Sequence, residues 1–239
     1  MEYKYTGIIL SKHDVGETDR IYMMYTLEGG KIRSLAKGVR KPHAKLAASL
    51  ENITLADITI VRSRGLGKIT GSIVEQNFTA LKKDYDAIME VFAVLNIFGK
   101  LVDFENPDPK VFQLLKEFLE TIDLLAQNSS VEKYVLVRLG FTAKLLDALG
   151  YSIEVNSCIV CGKPLEKDGL CFSAQHGGAL CRDCANDNPT CSIAINVNAI
   201  KMLRLFLQNN ISTFSKIQAT QKDCDSTRLA IDEFLRWTL

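Results

Sequence analysis

The residues whose type and spacing most directly imply chemistry are four cysteines in two short pairs, Cys158-Ile-Val-Cys161 and Cys181-Arg-Asp-Cys184. Each pair brings two sulfurs within reach of one ion, and the 19 residues between the pairs are enough to fold back and present the second pair. Zn²⁺ takes four soft ligands in a tetrahedron, and CxxC…CxxC at this separation is the spacing of structural zinc ribbons. Four sulfurs leave no open position for water or substrate, so one Zn²⁺ here would hold structure and do no catalysis. The competing reading is two disulfides, or reduced thiols without a partner. Gly177-Gly178 would let the chain turn tightly into the second pair. Cys171, Cys191 and Cys224 lie outside the pattern. Cys171 or His176 could replace a ligand, but free buried thiols are expected of all three extra cysteines.

Other catalytic chemistry finds little support in the sequence. The chain has three histidines, His13, His43 and His176. A zinc deaminase would pair H-x-E with P-C-x-x-C, yet His176 precedes Gly177-Gly178 and neither CxxC follows a proline. No close Asp/Glu cluster suggests a two-metal nuclease, and no GxxxxGK[ST] suggests ATP hydrolysis. Gly65-Leu-Gly67 is not a nucleotide fingerprint, because Thr70 stands where a third glycine is needed. Glu17 and Asp19 fall in a Gly-Glu-Thr-Asp turn, where a carboxylate more often caps backbone N–H groups than moves protons. The expectation is a protein that is not an enzyme.

Composition sets the compartment and the partners. The chain begins Met1-Glu2-Tyr3-Lys4-Tyr5 with no apolar leader, and its seven cysteines are an odd number, which favours a reducing cytoplasm over a secreted disulfide scaffold. No apolar run of about 18 residues suggests a membrane span. The net charge of +1 hides an asymmetry: residues 1–83 hold 14 Lys/Arg against 8 Asp/Glu, and the remainder holds 15 against 20. Lys31, Arg33, Lys37, Arg40, Lys41 and Lys45 form one basic stretch without an acid, and Arg62, Arg64 and Lys68 form a second cluster. Basic charge gathered on one module points to a polyanion partner, although solvated Lys/Arg faces are common.

The elements that must position these residues follow from periodicity. Thr6–Lys12 reads as a strand. Arg20–Leu27 alternates, with Ile21, Met23, Tyr25 and Leu27 on one face. Glu28-Gly-Gly makes a hairpin turn into Lys31–Lys37, and Ile53–Val61 and Lys68–Glu75 supply two more strands. Five strands in about 75 residues match an OB-type Greek-key barrel, whose strands and loops often hold single-stranded nucleic acid; an SH3-like barrel or an edge sheet has the same count. Tyr22 and Tyr25 are the aromatics nearest the basic stretch, so backbone contact should dominate base stacking. Beyond Asp84 the period becomes helical, over Ala87–Val102, Val111–Leu125 and Val131–Leu149, then about Asn198–Leu207 and Asp225–Trp237 after the cysteines. The elements read as α+β: five strands over 1–80, then helices over 81–239 interrupted by the cysteine pairs at 155–190.

Gly7-Ile-Ile-Leu, Gly16-Glu-Thr-Asp19, Leu35-Ala-Lys-Gly-Val-Arg40 before Lys41-Pro42, Leu149-Gly150-Tyr151 leading into the cysteines, and Gly177-Gly-Ala-Leu-Cys181 occur in that order. Together they resemble the bacterial RecO family of recombinational DNA-repair mediators, over nearly the whole chain. The resemblance implies an N-terminal five-stranded OB-type barrel over 1–80 and a helical domain over 81–239 with a zinc-ribbon-like module inserted at 155–190. It further implies binding to single- and double-stranded DNA, annealing of complementary strands, and partnership with RecR and with single-stranded DNA-binding protein. It also implies a cytoplasmic, nucleoid-associated place of action, RecR meeting the barrel, and a helical-domain pocket for the acidic C-terminal tail of single-stranded DNA-binding protein. A cation must flank that pocket, with Arg138, Lys144, Lys201 and Arg204 as candidates. Some family members lack the four cysteines, so zinc is a structural option there. Two other readings stand beside this one: a zinc-stabilised protein–protein adaptor with an incidental basic face, and an RNA-binding OB protein. Convergence of Lys31–Lys45 and Arg62–Lys68 on one barrel face would discriminate between them.

Overall fold

A computed structural model describes residues 1–63, 65–128, 131–165, 169–187 and 193–239, with the side chain of Glu132 left aside. Chain compactness divides it into two units, Met1–Asp123 and Leu124–Leu239. Residue 80 falls between the last barrel strand and the first long helix, whereas compactness keeps that helix and most of the second with the barrel.

In the first unit, β1 (Glu2–Val15), β2 (Asp19–Thr26), β3 (Gly30–Ala36), β4 (Leu55–Val61) and β5 (Gly67–Gln76) close into a barrel in the order β1-β2-β3-β5-β4. β1 is long enough to serve two neighbours. Its first half pairs with β4 from Glu2↔Val61 to Ile8↔Leu55, and its second half pairs with β2 out to Val15↔Asp19. An irregularity between Ile9 and Ser11 bends it from one partner to the other. Closure comes from a short parallel pairing of β3 with β5, Ser34↔Gly67 and Leu35↔Lys68. The interior is filled by alternate residues: Ile9, Tyr22, Met24, Ile32, Ala36, Ile58, Ile60 and Ile69.

The face of β2 that carries Ile21, Met23 and Tyr25 is therefore the outer one. Tyr25 is nonetheless buried, because α1 (Tyr85–Leu101) and α2 (Pro109–Gln127) bring aromatic rings to it. Phe98 meets the Tyr25 ring edge-on at 4.9 Å, and Phe112 stacks at 6.4 Å. Asp84 caps α1 by accepting from the Ala87 N–H, and Asp108 opens α2 by accepting from the N–H of Lys110. Tyr22 and Tyr25, at 0% and 1% exposure, cannot stack on a nucleic-acid base.

The second unit is built on α3 (Tyr134–Ala148), which buries Leu136, Val137, Phe141 and Leu145 and packs against α5 (Val197–Gln208) and α6 (Gln221–Thr238). A reciprocal Thr220–Asp223 capping box starts α6. Between α3 and α5 lies a small sheet in the order β7-β6-β8, with β6 Cys171–Ser173, β7 Gly178–Leu180 and β8 Ile193–Ala194, and a short helix α4 (Arg182–Asn186). The β6–β7 turn needs Gly177 in the left-handed region (φ 78°), where its N–H donates to the Ser173 and Ala174 carbonyls. Phe172 packs edge-on against Phe234 of α6 at 6.2 Å. The sheet runs past the expected end of the inserted module at residue 190.

Candidate nucleic-acid interface and metal centre

The four paired cysteines converge. Cys158 and Cys161 sit on a knuckle closed by Gly162 N–H donating to the Cys158 carbonyl (2.8 Å) and Cys158 N–H donating to the Lys163 carbonyl (2.8 Å). Cys181 precedes α4, and Cys184 lies in its first turn. All four sulfurs lie within 4.8 Å of one another, and Cys161 Sγ is 3.7 Å from Cys181 Sγ. Four sulfurs about 2.3 Å from one tetrahedral ion stand roughly 3.8 Å apart, so the cluster has the dimensions of a metal site. Burial alone would raise the Cys158 thiol, but N–H groups of Cys161, Cys181 and Val160 outweigh it and bring the thiol to about 6. Cys184 is pushed up to about 12, first by its bond to the Cys161 sulfur and then by burial and the other thiols. Four thiolates this close need a cation between them, and these residues fit one.

The knuckles are tied to the surrounding fold. Ile159 N–H donates to the Ala179 carbonyl, and Arg204 of α5 donates from Nε to the Val155 carbonyl (2.7 Å). The other two sulfur or nitrogen candidates stand apart. His176 Nδ1 is 3.0 Å from Ser173 Oγ in the β6–β7 turn. Cys171 lies on β6, not on a knuckle, and is disulfide-bonded where a free thiol was expected. Cys224 is a buried free thiol, and Cys191 lies outside the described residues.

The nine basic candidates on the barrel separate by geometry. Lys31 does not face solvent: it is 6% exposed, donates from Nζ to the Gly99 carbonyl of α1 (2.8 Å), and sits 4.4 Å from the Phe104 ring centre. Burial pushes its ammonium pKa down. The pleat alone would expose it, as it exposes Arg33; the segment after α1 covers it. Arg33 and Lys68 are exposed on the adjoining β3 and β5. Arg62, in the β4–β5 loop, lines one cleft with Arg33, so the two basic clusters converge on one side of the barrel. Arg64 lies outside the described residues. Lys37, Arg40, Lys41 and Lys45 are exposed beyond β3. Arg40 is bound to the β1–β2 turn, donating its N–H to the Thr18 carbonyl (2.9 Å) and pairing with Asp14 (3.3 Å). Asp19 in that turn accepts from the Gly38 N–H at 2.7 Å, and this bond with that of Thr18 holds its carboxyl below the usual range. It caps backbone, as its turn position implies. The cations thus run from the β1–β2 turn across β3 and β5 to the β4–β5 loop, the side on which OB barrels hold nucleic acid.

Three aromatics on this side escape a reading centred on the basic stretch. Tyr3 and Tyr5 stack along β1 at 6.2 Å, and Phe104, from the α1–α2 connection, is 48% exposed within the Arg33–Arg62 cleft. The Tyr-x-Tyr alternation at 3 and 5 signals the first two; nothing local signals Phe104.

In the second unit, Lys144 donates to the carbonyls of Phe206 and Leu207 at the end of α5 (3.3 Å each), and Arg204 is taken by the cysteine module. Lys216, which was not among the expected cations, lines a 380 Å³ pocket with Leu205, Phe214 and Ile217.

Two family descriptions match the chain: "Recombination protein O N terminal" over residues 1–78 and "Recombination protein O C terminal" over residues 82–239. Among curated relatives, a "DNA repair protein RecO" of Dehalococcoides mccartyi is 31% identical, covering 100% of this chain and 91% of its own length. Proteins of the same name from Halalkalibacterium halodurans and Rubrobacter xylanophilus are 29% and 28% identical, covering 91% and 84% of this chain and 82% and 79% of their own lengths.

Proposed function

This chain belongs to the RecO family, and on that premise we propose that it is a DNA-repair and recombination mediator. In this reading it binds single- and double-stranded DNA on the barrel and anneals complementary strands. It works with RecR, which meets the barrel, and with single-stranded DNA-binding protein, in the cytoplasm at the nucleoid. No bond is made or broken. Exposed cations neutralise the phosphates of two strands, so that base pairing can proceed against less repulsion. The observation that carries the reading is the convergence of Arg33, Arg62 and Lys68 on one side of the barrel, continued by Lys37, Arg40 and Lys41 at the β1–β2 turn.

One Zn²⁺ on Cys158, Cys161, Cys181 and Cys184 would act as a structural tie, since all-sulfur ligation leaves it no reactive position. The acidic tail of single-stranded DNA-binding protein would enter the pocket of Leu205, Phe214 and Ile217, with Lys216 as its cation.

Strand annealing measured with and without single-stranded DNA-binding protein tests the whole reading. The full chain should accelerate annealing of bare and coated strands. Replacing Arg33, Lys37, Arg40 and Lys41 together by Ala should abolish both, and Lys216→Glu should impair coated strands alone. A full chain that leaves annealing unchanged would leave the adaptor role in its place, and a preference for RNA over DNA would favour the RNA-binding one.

A further inference from the structure

We propose that the cleft between β3, the β4–β5 loop and Phe104 takes one unstacked base of single-stranded DNA, face-on to the Phe104 ring, with a phosphate replacing Glu105 on Arg62. This rests on the reading of the barrel as a DNA-binding face and names the element that distinguishes single strands from duplex. The cleft holds about 540 Å³ and is lined by Tyr5, Arg33, Arg62, Phe104 and Glu105 together with Gly65–Gly67, a size usual for a small-molecule site.

Phe104 is an apolar ring left half in water, and the chain around it is fixed. Glu105 N–H donates to the Lys31 carbonyl (3.0 Å), and Lys31 pairs with Phe104 in a parallel bridge. Gly30 lies so close to the Asn106 backbone that any Cβ there would collide with it. Two cations hold the ring, Lys31 Nζ at 4.4 Å and Arg33 Cζ at 5.6 Å from its centre. A ring placed beforehand loses little entropy when a base stacks on it. Inside a duplex both faces of every base are already stacked, so along its length only single-stranded DNA offers bases to the platform.

Glu105 already supplies an anion to the cleft. Its backbone is left-handed (φ 55°), unusual for a residue with a side chain, and its carboxylate meets Arg62 Nη1 at 2.8 Å. The pair is open to solvent and therefore weak, so a phosphate oxygen can displace the carboxylate. Arg62 also donates from Nε to the Gly65 carbonyl (3.0 Å), which fixes its guanidinium at the cleft while the anion changes.

The test uses the full chain with an oligothymidylate and with a duplex of equal length. Phe104→Ala should weaken oligothymidylate binding about tenfold and leave duplex binding unchanged. Glu105→Gln should tighten the single strand. Phe104→Trp should keep the affinity, and its added emission should be quenched by oligothymidylate but not by duplex. This quench decides the matter if Phe104→Ala fails to fold. Equal losses for both DNAs in a folded Phe104→Ala, or a Phe104→Trp emission indifferent to single strands, would overturn the stacking site and leave the DNA-binding reading intact. A parent chain that binds neither DNA would remove both.

Discussion

Lys31 and Lys37, at the start of β3 and just past its end, carry the same charge to opposite purposes. Lys31 is spent on the Gly99 carbonyl and the Phe104 ring, whereas Lys37 is exposed beside the β1–β2 turn. If the six exposed cations outside the Arg62–Glu105 pair (Arg33, Lys37, Arg40, Lys41, Lys45 and Lys68) each neutralise one phosphate, log K should fall against log salt with a slope near −4, at about −0.7 per contact. Lys37→Ala should lower that slope by about 0.7 for any base sequence. Lys31→Met should leave the slope alone and destabilise the fold by about 1–3 kcal/mol, through the lost charged hydrogen bond. Salt titrations of both variants decide this; a reduced slope in Lys31→Met would return Lys31 to the binding face. Lys82 gives a pH signature. Burial lowers its pKa to about 8, and its Nζ donates to Thr54 Oγ1 (2.9 Å). The unfolded chain holds this proton up to a pKa near 10.4, so stability should rise with pH between about 8 and 10. Urea midpoints of Lys82→Met should lack that rise, and parallel curves for parent and variant would contradict it.

At the scale of elements, the five barrel strands and the long helices could be read from the sequence, because alternation, turn glycines and helical spacing mark them, whereas β6, β7, β8 and α4 are too short to show a period. The two CxxC pairs were equally plain, since a knuckle is local and needs only its own residues. Less could be read where distant segments meet. Periodicity puts Lys31 and Arg33 on one side of β3, and only the arrival of Gly99 and Phe104 buries the first and frames the second. It likewise puts Tyr25 on one face of β2 with Ile21 and Met23, without telling that this face is the outer one or that Phe98 and Phe112 cover Tyr25 there. The cysteine module should behave as a separable element. Cys161→Ser, or chelation, should speed amide exchange over residues 153–187 and leave exchange in β1–β5 as it was, because the knuckles' hydrogen bonds close within the second unit. His176→Ala should keep one metal per chain, since that ring is bound to Ser173 and stands outside the sulfur cluster. Metal analysis showing none in chelator-free protein, or barrel exchange rising together with that of the module, would contradict this account.

Over the whole molecule, charge and compactness divide the work at different places. The basic excess ends near residue 83, while the barrel's compact unit continues to Asp123. A fragment of residues 1–80 would strip Phe98 and Phe112 from Tyr25 and leave Lys31 without the Gly99 carbonyl. Exposing the Tyr25 ring and the apolar barrel surface that Phe98 and Phe112 cover costs a few kcal/mol, a large share of the whole stability of a small domain. The fragment 1–80 should therefore be unfolded or aggregated, whereas 1–127, which completes α2, should fold cooperatively and bind DNA with the salt slope of the full chain. Lacking the Lys216 pocket, 1–127 should anneal bare strands but not strands coated with single-stranded DNA-binding protein. Circular-dichroism melts of the two fragments test the fold, and annealing on bare and coated DNA tests the division of labour. A stable 1–80 would show that the helices are dispensable to the barrel. Full activity of 1–127 on coated strands would place recruitment on the barrel.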